Sequence, residues 1–274
     1  MILKGKILAD KIFEALQNSQ APKKRLVVIC VGDDEVSSVY VGKKIELANR
    51  LGVAIEILRM SGSSSYSQIA EKISALNHND GVGGILIQMP LPIGIDRKQI
   101  CSMILPEKDV DGFGYITGKS PLALPPTVLA IDALLDFYQI SKTNKKILIV
   151  GKGFLVGAPL YNYYKKMSLD ADVIEENDPG YKAKLQAGDI VILATGGQAN
   201  FQSNDFKPGA IIIDASTIAS DNKIKGDLVI KEGEGSISYS PVPGGVGPVT
   251  VAMLFLNFYG LNGSKVDLQG LIEK

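Results

Sequence analysis

The residues of this chain that could do chemistry begin with a tyrosine and a lysine four positions apart. Tyr40 and Lys44 lie in the segment 37–44, which reads Ser-Ser-Val-Tyr-Val-Gly-Lys-Lys and follows an apolar stretch at 25–31. If a helix has begun by Tyr40, the two side chains share one face, so a flat conjugated ligand could stack on the ring and be reached by the amine. The alternative is that the ring covers a core and the lysine is solvated, as surface lysines usually are.

Two further polar residues could contact a ligand: Gln88 at the end of a predicted strand and Asp111 in a predicted loop. Gln88 ends the apolar stretch 83–88 and is followed by Met-Pro-Leu-Pro. Because the two prolines prevent the sheet from continuing, we expect Gln88 at the carboxyl edge of a strand, beside the Lys44 helix. Asp111 precedes a glycine in the loop 106–113. Its carboxylate could accept hydrogen bonds from an amino-substituted heterocycle, or it could tie down its own turn.

The elements that must position these residues alternate between short apolar strands and amphipathic helices, which predicts an α/β fold with parallel sheets. The predicted strands are 25–31, 52–58, 83–88, 146–150, 172–175, 189–194 and 210–214, and the predicted helices are 8–17, 40–50, 65–77, 96–103, 127–138 and one that ends near 259.

A glycine-rich turn opens the second half of this pattern. Gly151, Lys152, Gly153 and Gly157 follow the strand 146–150 in the spacing G-x-G-x-x-x-G. Glycines in a strand-to-helix turn let the backbone approach a pyrophosphate and aim a helix N-terminus at it. The spacing differs from the dinucleotide pattern G-x-G-x-x-G, and a plain tight turn would explain it about as well.

Two later turns also favour a dinucleotide-binding unit. Thr195 and Gly196 follow the strand 189–194, on the edge where a nicotinamide would lie. Residues 240–250 read Ser-Pro-Val-Pro-Gly-Gly-Val-Gly-Pro-Val-Thr and precede an apolar helix. A rigid loop with few side chains suits a close approach of backbone to ligand.

Composition narrows the class of protein. The 274 residues are 46% apolar and 21% charged, as in one large or two ordinary globular domains, and 29 basic residues balance 29 acidic ones. The absence of a dense basic run argues against nucleic acid, and the lack of a signal peptide or long apolar run argues against a membrane and predicts a cytoplasmic protein. We expect Cys30 and Cys101 to be core residues and His78 to lie on the surface, with no metal site.

Four segments, taken together, resemble one family: the bifunctional methylenetetrahydrofolate dehydrogenase/methenyltetrahydrofolate cyclohydrolases. The segments are 37–44, Gly-Ile-Leu-Ile-Gln-Met-Pro-Leu-Pro at 84–92, Lys-Asp-Val-Asp-Gly-Phe at 108–113 and the loop and helix start at 241–254. The resemblance implies two three-layer α/β domains with a folate cleft between them. It implies a folate domain at 1–120, completed by a C-terminal helix at 260–274, and a Rossmann-like domain at 121–259. A homodimer that serves one-carbon metabolism and purine biosynthesis is also implied.

Residue by residue, the resemblance makes Lys44 the catalytic lysine, Gln88 its hydrogen-bonding partner and Tyr40 the ring stacked on the folate. It assigns Asp111 to recognition of the pterin and Ser37 to the shape of that pocket. In the glycine-rich loop it adds the substrate-binding residues Pro243, Gly244 and Gly245. The residues expected to contact the dinucleotide are Gly151, Lys152, Gly153, Gly157, Glu175, Thr195, Gly196 and Gly247.

The chain departs from the family pattern at three places. Residues 125–130 read Pro-Pro-Thr-Val-Leu-Ala where the family usually has Pro-Cys-Thr-Pro-x-Gly, and Gly-Lys-Gly at 151–153 replaces Gly-Arg-Ser. Lys152 could meet a 2′-phosphate only as a point charge. The loop 175–178 reads Glu-Glu-Asn-Asp, and a carboxylate ~20 residues past the glycine turn grips the ribose 2′-hydroxyl of NAD. The family favours NADP, and this loop keeps NAD open; alternatively, these acids point to solvent.

Three alternatives to the bifunctional enzyme stay open at this point. The altered cofactor turn could leave a cyclohydrolase with a weakened dehydrogenase. A folate- or nucleotide-binding protein without turnover is a second alternative, although a mere binder need not keep Lys44. A dehydrogenase of the shikimate type shares the architecture but not the Pro-Gly-Gly-Val-Gly-Pro loop.

Overall fold

The chain divides into two compact units. The computed structural model describes residues 1–32, 35–119, 122–197, 199–220, 223–230 and 236–267. Of the described residues, the three-stranded unit comprises Lys11–Pro126 and 251–267, and the five-stranded unit comprises Met1–Asp10 and Thr127–Thr250.

Helices and strands alternate over residues 5–87 and 126–193, as the sequence pattern predicts, and short strands then follow one another up to the last described helix. The first elements are α1 (Gly5–Gln17), β1 (Arg25–Val31), α2 (Glu35–Leu51), β2 (Ile55–Met60), α3 (Tyr66–Asn77), β3 (Val82–Ile87), α4 (Arg97–Cys101) and α5 (Phe113–Thr117). The later elements are α6 (Pro126–Phe137), β4 (Ile147–Val150), α7 (Gly157–Lys166), β5 (Ala171–Ile174), α8 (Tyr181–Ala187), β6 (Ile190–Leu193), β7 (Phe201–Gln202), β8 (Ile211–Asp214), β9 (Ile218–Ser220), β10 (Lys223–Lys225), β11 (Leu228–Val229), β12 (Ser238–Tyr239) and α9 (Val246–Leu261).

The sheet of the three-stranded unit has the order β2-β1-β3, and both pairings are parallel. The central strand and β3 are buried almost throughout, which fits their sequences, because apolar residues and glycines follow one another there without polar alternation. In this register Ile29 of β1 pairs with Ile87 of β3, which places the residue after β3 at the carboxyl edge of the sheet.

The main sheet of the five-stranded unit has the order β12-β8-β6-β4-β5, and all its pairings are parallel. The chain starts at β4, goes to β5 on one side and returns to β6 on the other. The strand order therefore reverses between β4 and β6. In open α/β sheets, ligands bind outside the carboxyl ends of the strands at such a reversal.

Local sequence signals explain where several helices begin. Ser65 caps α3: its side chain accepts from the Gln68 backbone N–H, and the Gln68 side chain returns a bond to the Ser65 backbone. Pro126 is the first residue of α6, a position where its missing N–H costs nothing. The altered segment 125–130 therefore still opens a helix.

The α/β fold with parallel sheets is confirmed, but the predicted helix at 260–274 is wrong for residues 262–267. The last described helix, α9, ends at Leu261, and Gly263 adopts φ +78°. A glycine in this left-handed conformation is a common helix stop. Residues 268–274 lie outside the described part of the chain.

Side chains with no role in the resemblance lie where we expect them. Cys30 and Cys101 are buried free thiols, and His78 is exposed at the end of α3. Within the described ranges, no helix has both the length and the apolar character that a membrane span requires.

Candidate functional site

Lys44 and Gln88 meet at the carboxyl edge of the three-stranded sheet. The Lys44 Nζ atom donates to Gln88 Oε1 at 2.7 Å. The amide itself is fixed, because Gln88 Nε2 donates to the carbonyl oxygen of Met89 at 2.9 Å and the Gln88 backbone N–H donates to Ile29 at 2.8 Å. The structure therefore brings together the two residues that the sequence placed on neighbouring elements, and it gives the amine one defined position.

Burial of Lys44 shifts its pKa in the direction that favours proton exchange. Burial lowers the pKa of Lys44, while the nearby Asp111 carboxyl opposes that shift. Burial also raises the pKa of Asp111 to about 7, against the opposing pull of the Lys44 ammonium and with a small contribution from Asp109. An amine whose pKa is lowered toward the working pH can take up and return a proton. Lys44 is thus more than a solvated surface lysine.

The turn that carries Asp111 is held on its N-terminal side by the buried side chain of Lys108. Lys108 is 7% exposed, and its Nζ donates to the carbonyl oxygens of Leu76, Asn77 and Asn79 at 3.0, 2.6 and 2.9 Å. These carbonyls end α3, where a cation is favoured.

Asp109 caps the helix that follows the same turn. Its carboxylate accepts from the backbone N–H groups of Phe113 and Gly114 at 3.0 and 2.6 Å. The backbone on both sides of Asp111 is therefore held by neighbouring side chains.

Helix α9 contacts this turn within the same unit. Asn257 Nδ2 donates to the carbonyl oxygens of Val110 and Leu124, both at 2.9 Å. A Cβ on Gly84 would lie 2.6 Å from Val110 and 2.8 Å from Phe258, so β3 needs glycine there. Lys108, Asp109 and Asn257 are not among the predicted site residues. The charges of the motif Lys-Asp-Val-Asp-Gly are the only sequence signal for the first two of them.

Tyr40 lies one helical turn before Lys44 on α2 and is half-buried. The exposed Lys43 has its Nζ atom 5.4 Å from the centre of the Tyr40 ring. Tyr40 and Lys44 thus lie one turn apart on the same helix, and stacking of the Tyr40 ring on a ligand stays a prediction. Ser37 is in α2, but its side chain lies outside the described residues.

In the five-stranded unit, the turn after β4 requires glycine at two positions. Gly151 has φ +98°, and a Cβ there would lie 2.7 Å from the carbonyl oxygen of Ala194, which follows β6. At Gly157, which starts α7, a Cβ would overlap the Gly151 carbonyl. At Gly153 the nearest atom to a Cβ is 3.8 Å away, and Lys152 is exposed. The backbone of the turn is thus left open toward a ligand at the N-terminus of α7.

The turn after β6 lies against the Gly151 turn, at the reversal of strand order. A Cβ on Gly151 would come within 3.3 Å of the Thr195 Cα atom. Thr195 Oγ1 donates to Asp227 Oδ2 at 2.6 Å, and the backbone N–H of Gly196 donates to Ser216 Oγ at 3.3 Å. The two predicted cofactor turns are therefore neighbours, and residues the sequence analysis did not single out hold one of them.

Glu175 is exposed and directly follows β5. Its backbone N–H donates to Asp178 Oδ2 at 3.2 Å, and Asp178 N–H donates to the Glu175 carbonyl at 2.9 Å. The Gly151 N–H donates to the carbonyl of Ile174 at 2.9 Å. The acidic loop is thus hydrogen-bonded into a compact turn beside the dinucleotide turn.

The glycine-rich loop before α9 belongs to the five-stranded unit and is described with that unit. Pro243 is exposed after a cis peptide bond, and Gly244 has φ +104°. Gly245 is buried, and a Cβ there would lie 2.6 Å from the Pro241 carbonyl oxygen. Gly247 has open space around it. The first two glycines are thus required by the backbone.

The fold and these sites define an α/β enzyme with a lysine–glutamine–aspartate centre on one unit and a dinucleotide-binding turn on the other. Two family models match the chain. They are the catalytic domain of tetrahydrofolate dehydrogenase/cyclohydrolase over residues 3–111 and its NAD(P)-binding domain over residues 125–264. The chain therefore belongs to the tetrahydrofolate dehydrogenase/cyclohydrolase family, which confirms the resemblance of its segments.

Individual relatives agree with this assignment over nearly the whole chain. The Bifunctional protein FolD of Mesoplasma florum is 37% identical over 95% of this chain and 96% of its own length. The crystal structure of the bifunctional enzyme FolD from Campylobacter jejuni is 30% identical, covers 96% of this chain and 98% of its own, and has a TM-score of 0.86. The FolD structure from Trypanosoma brucei, complexed with NADP cofactor and inhibitor, is 26% identical with a TM-score of 0.85, over 96% and 97% of the two chains.

Proposed function

We propose that the chain oxidises 5,10-methylenetetrahydrofolate to 5,10-methenyltetrahydrofolate with NAD(P) and hydrolyses the product to 10-formyltetrahydrofolate. The observation that carries this proposal is the Lys44–Gln88 hydrogen bond of 2.7 Å beside the buried carboxyl of Asp111, in a member of this family. We assign the folate to the three-stranded unit and the dinucleotide to the five-stranded unit, in line with the predicted domains 1–120 and 121–259.

The hydrolytic step needs a group that moves protons. Water attacks the methenyl carbon, loses a proton and leaves a tetrahedral carbon whose ring C–N bond then breaks. Lys44 can accept that proton and return it to the departing nitrogen because its pKa is lowered by burial. Gln88 holds the amine in place without adding a charge. Tyr40 stacks on the folate, and Asp111 accepts N–H groups of the pterin.

The oxidative step makes different demands on the chain. The bound dinucleotide supplies the hydride acceptor, so the protein's task is to hold two flat rings in register. Gly151 and Gly157 let the backbone approach the pyrophosphate, and Thr195 and Gly196 border the nicotinamide end. In this proposal side chains transfer the protons, and the backbone positions the two rings for hydride transfer.

For the cofactor we propose NADP, as in the T. brucei relative, with Lys152 as the cation nearest to a 2′-phosphate. The carboxylates of Glu175 and Glu176 oppose that phosphate and favour the free 2′-hydroxyl of NAD. We therefore expect the chain to discriminate less strongly against NAD than a chain with a neutral or basic loop would.

The effect of the acidic loop on cofactor choice is tested by Glu175→Ala and Glu176→Ala. The control is Glu71→Ala, at an exposed position on α3. We expect the ratio of kcat/KM with NADP to that with NAD to rise in at least one of the two loop variants and to stay constant in the control. A constant ratio in both loop variants would mean that neither acid faces the ribose.

The folate centre is tested by adding 5,10-methenyltetrahydrofolate to the purified protein without any dinucleotide. We expect its absorbance to decay well above the buffer rate. Decay at the buffer rate, with reduction of NADP by 5,10-methylenetetrahydrofolate intact, would leave a dehydrogenase alone. The reverse result would leave a cyclohydrolase alone, and neither activity would leave a folate-binding protein.

We also propose that the chain is a cytoplasmic homodimer and that its 10-formyltetrahydrofolate supplies purine biosynthesis. The family resemblance supports each of these statements. Sedimentation equilibrium tests the dimer: the account predicts twice the chain mass of 29.3 kDa at micromolar concentration. A single chain mass under those conditions would refute it.

A further inference from the structure

Asp227 is fully buried directly behind the Thr195 turn of the cofactor site. Thr195 Oγ1 lies 2.6 Å from Asp227 Oδ2, and the backbone N–H of Ala199 donates to Asp227 Oδ1 at 3.2 Å. The Phe201 N–H donates to the Asp227 carbonyl at 2.7 Å. One residue therefore ties together both ends of the turn 195–199 after β6.

The backbone next to Asp227 is anchored by the carboxylate of Asp214. The neighbouring Leu228 N–H donates to Asp214 Oδ2 at 2.9 Å, and the Ser216 N–H donates to Asp214 Oδ1 at 3.0 Å. A side chain at Gly226 would overlap the Asp214 carboxylate and approach Val242 to 2.7 Å. The segment that carries Asp227 is thus packed closely against Asp214 at the end of β8, with no space for a side chain at Gly226.

The hydrogen-bond direction fixes the chemistry that Thr195 can offer. A threonine hydroxyl has one hydrogen to donate and two lone pairs to accept with, whereas an ionised carboxylate only accepts. Because Ala199 N–H already points at one Asp227 oxygen, and the other is at 2.6 Å from Thr195, the hydroxyl hydrogen is directed at Asp227. With its hydrogen used in this way, the Thr195 hydroxyl can offer a ligand only its oxygen lone pairs.

We propose that Asp227 is a positioning residue for the dinucleotide site, which orients Thr195 so that its hydroxyl oxygen accepts a hydrogen bond from an N–H or O–H of the nicotinamide end of the cofactor. Two groups there can donate: the carboxamide NH₂ and a ribose hydroxyl. The inference rests on the proposed dinucleotide site, but it does not depend on the folate chemistry.

The test compares Thr195→Val, which removes the hydroxyl at nearly constant shape, with Thr195→Ser, which keeps it. Dinucleotide binding to each full-length variant is measured by calorimetry, without folate, and kcat and KM are measured where turnover occurs. We expect Thr195→Val to raise the Kd about three- to tenfold, the usual worth of one hydrogen bond, and Thr195→Ser to restore it. The exposed Thr143, changed to Val, is the matched control and should leave the Kd unchanged.

A cofactor analogue distinguishes the two donors. The 3-acetylpyridine dinucleotide carries a methyl group in place of the carboxamide NH₂. If Thr195→Val weakens the natural cofactor but not this analogue, the carboxamide is the donor. If it weakens both equally, the ribose hydroxyl is the donor. If it weakens neither, the proposal is overturned.

Asp227→Asn tests the positioning role separately. The asparagine NH₂ must face either the Ala199 N–H, which then loses its acceptor, or Thr195, whose hydroxyl must then accept instead of donating. Because either arrangement disturbs the present one, we expect the dinucleotide Kd to rise. Asp170→Asn, at an exposed site, is the control. An Asp227→Asn variant with lowered thermal stability but an unchanged Kd would show that Asp227 is merely structural. Wild-type protein that binds dinucleotide but does not turn over folate would refute the proposed function and leave this inference standing.

Discussion

The two centres of this chain are built by opposite means. In the proposed folate centre the working groups are the side chains of Lys44, Gln88 and Asp111, and Lys108 and Asp109 hold the turn that carries Asp111. The proposed dinucleotide centre is shaped mainly by backbone, with Gly151 and Gly157 required because a Cβ at either would crowd a backbone carbonyl, and Thr195 and Lys152 contribute side chains. Proton transfer needs groups with adjusted pKa values, whereas hydride transfer to a bound cofactor needs chiefly shape. The comparison predicts that substitutions at the two centres fail in different ways.

The largest expected effect is at the folate centre. Lys44→Met should lower the rate of methenyltetrahydrofolate hydrolysis by about a hundredfold or more, the usual contribution of a general acid–base, while folate still binds. The control is Lys72→Met, since Lys72 is exposed on α3. The measurement is hydrolysis beside folate binding by fluorescence. An unchanged hydrolysis rate in Lys44→Met would remove the role we give this lysine.

The spacing of Tyr40 and Lys44 places both on one face of a helix, and the family resemblance gives Lys44 its catalytic role. Tyr40, Lys44 and Gln88 could be predicted because their elements, β1, α2 and β3, follow each other along the chain with clear apolar patterns. The Ser65 cap and the strand 25–31 were equally predictable, since each depends on neighbouring residues.

The anchors could not be predicted because their partners are distant in sequence. Asn257 contacts a carbonyl 147 positions away, and Asp227 reaches Thr195 across 32 positions. A pattern read over a window of residues carries no information about such contacts. The short hairpin of β9 and β10 and the helix α5 were missed for a related reason, because each is too short to show a period.

At the dinucleotide centre, substitutions should act by distorting the backbone of the glycine turn. Gly151→Ala forces a side chain into φ +98° and to 2.7 Å from a backbone oxygen, so it should lower the free energy of unfolding by at least about 1–2 kcal/mol and weaken dinucleotide binding. Gly153→Ala is the control, because the nearest atom to its Cβ would be 3.8 Å away. Urea unfolding of both variants provides the measurement. Equal stability of the two would contradict the packing that we describe.

The smallest effect sharpens the electrostatics of the folate centre. In Asp111→Asn the negative charge that raises the pKa of Lys44 is gone, so that pKa should fall further and the midpoint of the pH–rate profile for hydrolysis should move to lower pH. Folate affinity should fall as well, because a charged acceptor for the pterin is lost.

The pH–rate profile of wild type beside Asp111→Asn, at saturating folate, separates these two consequences. A midpoint that moves to higher pH, or does not move, would mean that Asp111 and Lys44 are not electrostatically coupled in the working enzyme. An unaltered folate affinity would return Asp111 to a purely local role in its turn.

The most direct test of the account is the product balance of one reaction. Purified protein is given 5,10-methylenetetrahydrofolate with NADP, and in parallel with NAD, and both the reduced dinucleotide and 10-formyltetrahydrofolate are measured at completion. The account predicts that the two products form in equal amounts, because one chain carries both centres. Reduced dinucleotide with only the slow, uncatalysed appearance of the formyl product, or no reduction with either cofactor, would contradict it.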